Sequence, residues 1–174
     1  MRIDRSRRPF LAALALAAMP LAGRAAPAQK GERVTWPTVT LLDGRSLAAA
    51  HWQDRVAVVV FWSTTCPFCR RHNQHVEKLH RAAREAGLPL AVLGVARDRD
   101  TATVRRYAQA QGYSFDITQD AAPLAAAMAP RNLIPQTAVI GRDGRLQQLL
   151  PGEMFEEDLL ELLDLARPTA KARS

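Results

Sequence analysis

Residues 56–70 read Val56-Ala57-Val58-Val59-Val60-Phe61-Trp62-Ser63-Thr64-Thr65-Cys66-Pro67-Phe68-Cys69-Arg70. An unbroken apolar run of this length, rich in β-branched residues, predicts a strand that is buried on both faces. After the first cysteine, apolar residues recur at helical spacing as far as Ala83, and Gly87 ends the pattern. The pattern therefore predicts a central strand that runs into a helix, with both cysteines in the first helical turn.

Shorter patterns on both sides of this segment predict the other elements of the domain. They are a hairpin around Val39–Leu42 and Asp43-Gly44, a strand at Leu90–Val95, helices at Thr101–Gln111 and Ala121–Met128, an extended piece at Phe115–Ile117, a hairpin of Thr137–Ile140 and Leu146–Leu150, and a final helix at Phe155–Ala166. This order indicates an α/β domain with parallel strands joined by a crossover and an antiparallel pair at one side.

Cys66 and Cys69 are the only cysteines in the 174-residue sequence. A structural disulfide stabilises a protein mainly by closing a long loop, and this pair closes almost none. A helix N-terminus offers unpaired N–H groups and the positive end of the helix dipole, which lower a thiol pKa from about 8.5 to roughly 3.5–7.5. We therefore predict that Cys66 is a redox nucleophile and that Cys69, one turn further along, resolves the mixed disulfide.

The first 28 residues have the composition of an export signal. Arginines extend to Arg8, an apolar stretch follows, and small residues end in Ala26-Pro27-Ala28. The motif Arg7-Arg8-Pro9-Phe10-Leu11 resembles the twin-arginine consensus, and a general secretory signal is the alternative. We predict a signal at 1–28, a mature domain at 29–174 and a periplasmic location, with membrane anchoring if the signal is not cleaved.

The charge distribution gives little support for a nucleic-acid partner. The first 28 residues hold five arginines and one acid, Asp4, so more than half of the formal charge of +7 lies in the signal. Elsewhere basic and acidic residues alternate, as in Arg97-Asp98-Arg99-Asp100, rather than forming a basic stripe.

The strand that leads into a C-x-x-C helix resembles the thioredoxin superfamily, and Ile134-Pro135-Gln136-Thr137 matches the cis-proline loop of that family. The export signal and the added N-terminal hairpin make the chain most similar to the TlpA/ResA-like branch. The resemblance implies a three-layer α/β/α sandwich with a mixed central sheet. It also implies a cis Pro135 against the two sulfurs, with a trans proline that merely opens the strand as the alternative.

The same resemblance implies where a substrate would bind. We expect Ile134 to pair through its backbone with an extended substrate segment, and we place Trp62, Pro67 and Phe68 at the substrate site. Simple core filling is the alternative for Trp62. The family often has a buried acid at the position of Val60, and the branch often has a tryptophan at the position of Thr65.

The implied function is exchange of protein thiols and disulfides, without a cofactor or a metal, by a monomeric enzyme. We expect a reductase that receives electrons from a membrane donor. An oxidant or isomerase is the first alternative, because Pro67-Phe68 resembles the dipeptides of oxidising members. A peroxidase of the peroxiredoxin type is a weaker alternative. Ser63 matches the Thr or Ser that stands three residues before the cysteine in that family, but Val59 occupies the position of its upstream proline.

A copper-binding chaperone is the alternative from another class. It would use Cys66, Cys69 and His72, because thiolate and imidazole ligands suit copper. The simpler interpretation places His72, His75 and His80 on a solvated helix face.

Overall fold

The computed structural model describes residues 26–128 and 132–168. The elements are β1 (Val39–Thr40), β2 (Ser46–Leu47), a 3₁₀ turn (Ala49–Trp52), β3 (Val56–Trp62), α1 (Pro67–Glu85), β4 (Leu90–Ala96), α2 (Thr101–Gln111), β5 (Asp116–Thr118), α3 (Ala121–Met128), β6 (Gln136–Ile140), β7 (Leu146–Pro151), α4 (Glu156–Leu160) and α5 (Leu163–Ala166). The predicted strands and helices are therefore present within one or two residues, apart from the last helix.

Five strands form a mixed sheet in the order β5-β4-β3-β6-β7. β3 lies at its centre, parallel to β4 and antiparallel to β6. All seven residues of β3 are buried, as the apolar run predicts. β1 and β2 form a separate antiparallel hairpin, so the mixed sheet and the added N-terminal hairpin are both confirmed.

The two faces of β3 bury different layers because successive side chains of a strand point to opposite sides. Val58, Val60 and Trp62 pack with residues of α1, α2, α4 and α5. Val59 and Phe61 pack with α3 and with the N-terminal hairpin. The three-layer α/β/α arrangement predicted from the sequence follows from this division.

Helix α1 begins at the cysteines for local reasons. Pro67 occupies the first helical position, where a missing N–H costs nothing, and Cys66 is the N-cap. Gly87, just past the end of the helix, has φ +62°, a left-handed conformation that favours glycine. The N-cap of α2 is Asp100, whose carboxylate accepts hydrogen bonds from the N–H groups of Ala102 and Thr103.

The prediction of a single helix at Phe155–Ala166 is wrong in one respect, because the structure has two short helices there, α4 and α5. Between them the N–H of Leu162 bonds to the carbonyl of Leu159, and the N–H of Leu165 bonds to that of Leu162. These i→i−3 bonds wind the chain more tightly than an α-helix. Leu159, Leu162 and Ala166 are all buried in spite of the break.

Of the export signal predicted at residues 1–28, residues 1–25 lie outside the described residues. Ala28 is described and is 8% exposed, and its N–H donates to the carbonyl of Ala127 at 2.9 Å. The boundary predicted at residue 28 thus falls where the chain already packs on α3. Among residues 26–128 and 132–168, no helix has the length and apolar character needed to span a membrane.

Gly94 provides a test of the packing between β4 and the aromatic residues beside it. A methyl group at this position would lie 2.7 Å from Cε2 of Phe115 and 3.0 Å from Nε1 of Trp62. Phe115 is itself stacked on Tyr113, with ring centroids 5.2 Å apart. We expect Gly94→Ala to lower the free energy of unfolding by about 1–3 kcal/mol, measured by urea denaturation.

The double variant Gly94→Ala/Phe115→Leu is the control for this effect. Leucine lacks the ring atom that meets the new methyl group, so the double variant should be less destabilised than the two single variants added together. A wild-type urea midpoint for Gly94→Ala would contradict the close packing described here.

Candidate active site

The two cysteines lie where the loop after β3 enters α1, and they form a disulfide with Cα atoms 5.2 Å apart. Sγ of Cys66 accepts a hydrogen bond from the backbone N–H of Cys69 at 3.1 Å. Cys66 is half-buried, whereas Cys69 is 0% exposed. An incoming sulfur can therefore reach Cys66 much more easily than Cys69.

The loop before β6 meets the cysteines at the same edge of the sheet. β6 pairs with β3 so that Gln136 lies opposite Phe61, which brings Ile134 and Pro135 beside the end of β3. The Ile134–Pro135 peptide bond is cis, as the resemblance predicts. Ile134 is half-buried and packs against the cluster of residues that contains Cys69.

The three other residues predicted at the substrate site have different environments. Pro67 and Phe68 are exposed beside Cys66, and the Phe68 side chain is 56% exposed. Trp62 is 1% exposed and packs against both Tyr107 and Tyr113, with ring centroids 5.8 and 5.9 Å away. Trp62 thus fills the core, as the alternative interpretation has it, and its place at the substrate site stays a prediction.

His72 is not on a solvated face, because the structure buries it completely one turn after Cys69. Its Nδ1 accepts a hydrogen bond from the N–H of Met154 at 3.1 Å, so the ring proton sits on Nε2. Nε2 lies 3.0 Å from Oγ1 of Thr137 and donates to it. His72 thereby ties the redox helix both to β6, two residues after Pro135, and to the loop after β7.

The environment of His72 also sets its charge. Burial lowers the pKa of His72 from 6.5 to about 4, against the smaller opposing effect of the nearby Glu153 carboxylate. The imidazole is consequently neutral at pH 7 and adds no positive charge near the cysteines.

The histidines are poorly placed for the copper alternative. Both ring nitrogens of His72 are engaged by protein groups. His75 faces Glu156, with Nδ1 and Oε2 3.5 Å apart. Among the described residues, no group of three or more His, Cys, Asp or Glu side chains is arranged to hold a metal ion.

Asp98, just beyond β4, organises the loop that precedes Cys66, a role that its alternating charged run does not predict. Its carboxylate accepts hydrogen bonds from the backbone N–H of Thr64 at 3.0 Å, from Oγ1 of Thr64 at 2.6 Å and from Oγ of Ser63 at 3.1 Å. Three donors in two consecutive residues thus fix the turn that leads to the nucleophile.

We expect Asp98→Ala to lower the free energy of unfolding by roughly 1.5–3 kcal/mol, because hydrogen bonds to an ionised group are lost. Less accurate positioning of Cys66 should also reduce kcat/KM for disulfide exchange by about threefold to tenfold. Urea denaturation and steady-state turnover measure the two effects. Glu85→Ala is the control, since Glu85 is exposed and its side chain makes no hydrogen bond or ion pair with the described residues.

A scan against protein-family models matches residues 22–163 to the family described as Redoxin. This match covers most of the chain, including β3, the cysteine pair and the cis-proline loop. The chain belongs to the Redoxin family.

Curated relatives of this Redoxin chain carry the name thiol–disulfide oxidoreductase ResA. The protein of Halalkalibacterium halodurans is 27% identical over 143 residues, which cover 82% of this chain and 80% of the relative. That of Geobacillus thermodenitrificans is 24% identical, covering 73% of this chain and 72% of the relative.

Solved structures share the fold of this Redoxin chain. A secreted thiol–disulfide isomerase from Corynebacterium glutamicum superposes with a TM-score of 0.71 at 21% identity, covering 85% of this chain and 95% of that one. A thioredoxin-family thiol:disulfide interchange protein from Chlorobium tepidum gives 0.69 at 20% identity, covering 82% and 97%. Together with the Cys66–Cys69 pair, the family match and the curated relatives make the chain a redox enzyme, a thiol–disulfide oxidoreductase similar to ResA.

Proposed function

We propose that this enzyme reduces disulfides of other proteins outside the cytoplasm, with Cys66 as nucleophile and Cys69 as resolving cysteine. The observation that carries the proposal is the asymmetry of the pair. Cys66 is the half-buried N-cap of α1, and its sulfur accepts the Cys69 N–H, while Cys69 is enclosed beneath it. A thiolate at Cys66 is stabilised by that N–H and by the helix dipole.

The reaction conserves electrons and protons without a cofactor. The Cys66 thiolate attacks one sulfur of a partner disulfide, the partner S–S bond breaks, and one partner thiolate leaves. Cys69 loses its proton and attacks Sγ of Cys66, so that the mixed disulfide breaks and the second partner thiolate leaves. The cysteine pair is oxidised by two electrons, the partner is reduced by two, and the released thiolates take up protons.

The cis-proline loop would hold the partner during this exchange. We assign Pro135 to the wall beside the cysteines, because its loop meets them at one sheet edge. Ile134 precedes it and offers backbone groups for pairing with an extended segment. Pro67 and Phe68, both exposed next to Cys66, form the apolar side of the same surface.

The charges near the pair favour a reductase over a strong oxidant. A strong oxidant owes its potential to unusual stabilisation of its thiolate form. Here His72 is neutral at pH 7, and Arg71 is held by Glu153 through two hydrogen bonds of 2.9 and 2.7 Å. The Cys66 thiolate therefore lacks a neighbouring imidazolium, and one of the nearby arginines is already neutralised.

The reduction potential of the Cys66–Cys69 pair tests the direction of exchange. The purified chain would be equilibrated with glutathione or dithiothreitol buffers. We expect a value near that of thioredoxin, about −270 mV, which would direct the search to a membrane electron donor. A value near about −120 mV would instead support the oxidant or isomerase alternative, and the absence of a reversible couple would contradict an exchange enzyme.

Export is tested separately from chemistry. We propose a periplasmic monomer whose segment 1–28 directs export, supported by the Arg7-Arg8 motif and the Ala26-Pro27-Ala28 pattern. Cell fractionation should recover the protein outside the cytoplasm, and replacement of Arg7 and Arg8 by lysine should block export if the route is the twin-arginine route. Recovery of uncleaved protein in the membrane fraction would support the anchored form.

A further inference from the structure

A cleft opens directly beside the nucleophile, and none of the described residues of the cis-proline loop lines it. It has a volume of about 480 Å³ and is lined by Thr64, Thr65, Cys66, Pro67, Arg70, Arg71 and Tyr107. The half-buried ring of Tyr107, from α2, forms the wall opposite the first turn of α1. A side chain of a bound partner next to its reacting sulfur would enter this cleft.

The two arginines of the cleft differ in their partners. Arg71 forms a two-bond ion pair with Glu153, and its guanidinium carbon also lies 5.0 Å from the centre of the Phe68 ring. Arg70 is exposed, and no carboxylate within residues 26–128 and 132–168 comes within 4.0 Å of its side-chain nitrogens. Arg70 therefore contributes a positive charge that the described part of the protein does not neutralise.

The carboxylate of Asp98, on the neighbouring loop, does not neutralise Arg70. Both oxygens of Asp98 accept hydrogen bonds from Ser63 and Thr64, which hold them at the base of the loop. A guanidinium binds a carboxylate through two parallel hydrogen bonds, more specifically than any other cationic side chain. The open side of the cleft thus suits an acidic group supplied from outside.

The opposite flank of Cys66 has a different character. Phe68 is 56% exposed, and Leu133, two residues before the cis-proline, is 44% exposed. The surface around the nucleophile is consequently apolar on the cis-proline side and cationic on the α2 side. Such a surface distinguishes partners by the residues that flank their disulfide.

We propose that the cleft between Arg70 and Tyr107 binds a carboxylate side chain of the partner polypeptide, so that the enzyme acts preferentially on disulfides flanked by Asp or Glu. This proposal rests on the proposed exchange function and specifies its substrate class.

Three disulfide peptides that differ only in a Glu, Gln or Lys beside one cysteine test the preference. The full-length chain is assayed with dithiothreitol as reductant, and kcat/KM is measured for each peptide. We expect the Glu peptide to react about fivefold to tenfold faster than the Lys peptide at low salt, and we expect added salt to reduce this ratio.

The variant Arg70→Gln should reduce the Glu-to-Lys ratio to below about twofold. Arg84→Gln is the matched control, because Arg84 is exposed on the same helix, 14 residues and about 21 Å further along, and makes no ion pair with the described residues. It removes the same charge and should leave the ratio unchanged.

The outcomes separate this proposal from the function on which it rests. An equal slowing of all three peptides by Arg70→Gln would mean that Arg70 acts only on the Cys66 thiolate, and would overturn the carboxylate site. Equal rates for the three peptides with the wild-type chain would overturn it as well. Failure to exchange with any peptide would overturn the proposed function itself.

Discussion

Replacing Cys66 by serine is expected to reduce disulfide exchange by about 10³-fold or more, because the nucleophile that a partner can reach is lost. Cys69→Ser should behave differently, since Cys66 can still attack a partner but the mixed disulfide cannot be resolved. Mass spectrometry after incubation with a disulfide peptide should therefore detect a covalent adduct with Cys69→Ser and none with Cys66→Ser.

The two serine variants control for each other. Each removes the same short disulfide, whose loop is too small to stabilise the fold much, so the loss of the bond itself should affect the free energy of unfolding of both variants equally. A stable adduct on Cys66→Ser would assign attack to the buried Cys69 and would contradict the roles proposed here.

Acid should destabilise the protein through His72. Its pKa is about 4 in the folded state and 6.5 in the unfolded state, so the unfolded chain binds more protons between these values. The free energy of unfolding therefore keeps its full value above pH 6.5, where His72 is neutral in both states, and it decreases as the pH falls towards 4. The difference corresponds to about 3 kcal/mol in the free energy of unfolding, at about 1.4 kcal/mol per pKa unit.

The variant His72→Asn tests this effect by urea denaturation at a series of pH values. At pH 7 it should be less stable than the wild type by about 1–3 kcal/mol, because hydrogen bonds of a buried group are lost. Its stability should fall less on acidification, so the two curves converge towards pH 4. His51 and His80 have pKa values lowered by burial as well, but both proteins contain them, so they cancel from the comparison.

Thr137→Val supplies a control that separates hydrogen bonding from titration. It removes the acceptor of the His72 Nε2–H but leaves the buried imidazole in place. We expect lower stability at pH 7 with the same dependence on pH as the wild type. Parallel curves for His72→Asn and the wild type would show that His72 does not titrate in this range.

The sequence was sufficient to predict the elements that local patterns determine. The apolar run of β3, the helix that starts at the cysteines and the turn at Asp43-Gly44 depend on residues that are close in the chain, and the structure has them at the predicted positions. The cis bond before Pro135 was predicted through the resemblance and is confirmed. The roles of Cys66, Cys69 and Pro135 in exchange stay predictions.

The features that the sequence did not predict depend on distant partners. A histidine on a helix counts as polar, so His72 resembled a surface residue, whereas Thr137 and Met154 bind it from 65 and 82 residues away. Asp98 lies in an alternating charged run that resembles a solvated loop, and its donors are 34 and 35 residues distant. Such pairs become visible only when the sheet brings their loops together.

The hydrogen bond from Met154 to His72 gives the redox centre a spectroscopic reporter. The Met154 amide proton points at a ring one helical turn from Cys69, although it belongs to a different loop. Its NMR chemical shift should therefore respond when the cysteines change oxidation state or when the imidazole gains a proton. Isotope labelling of methionine alone would then follow the enzyme's redox state without a dye on either sulfur.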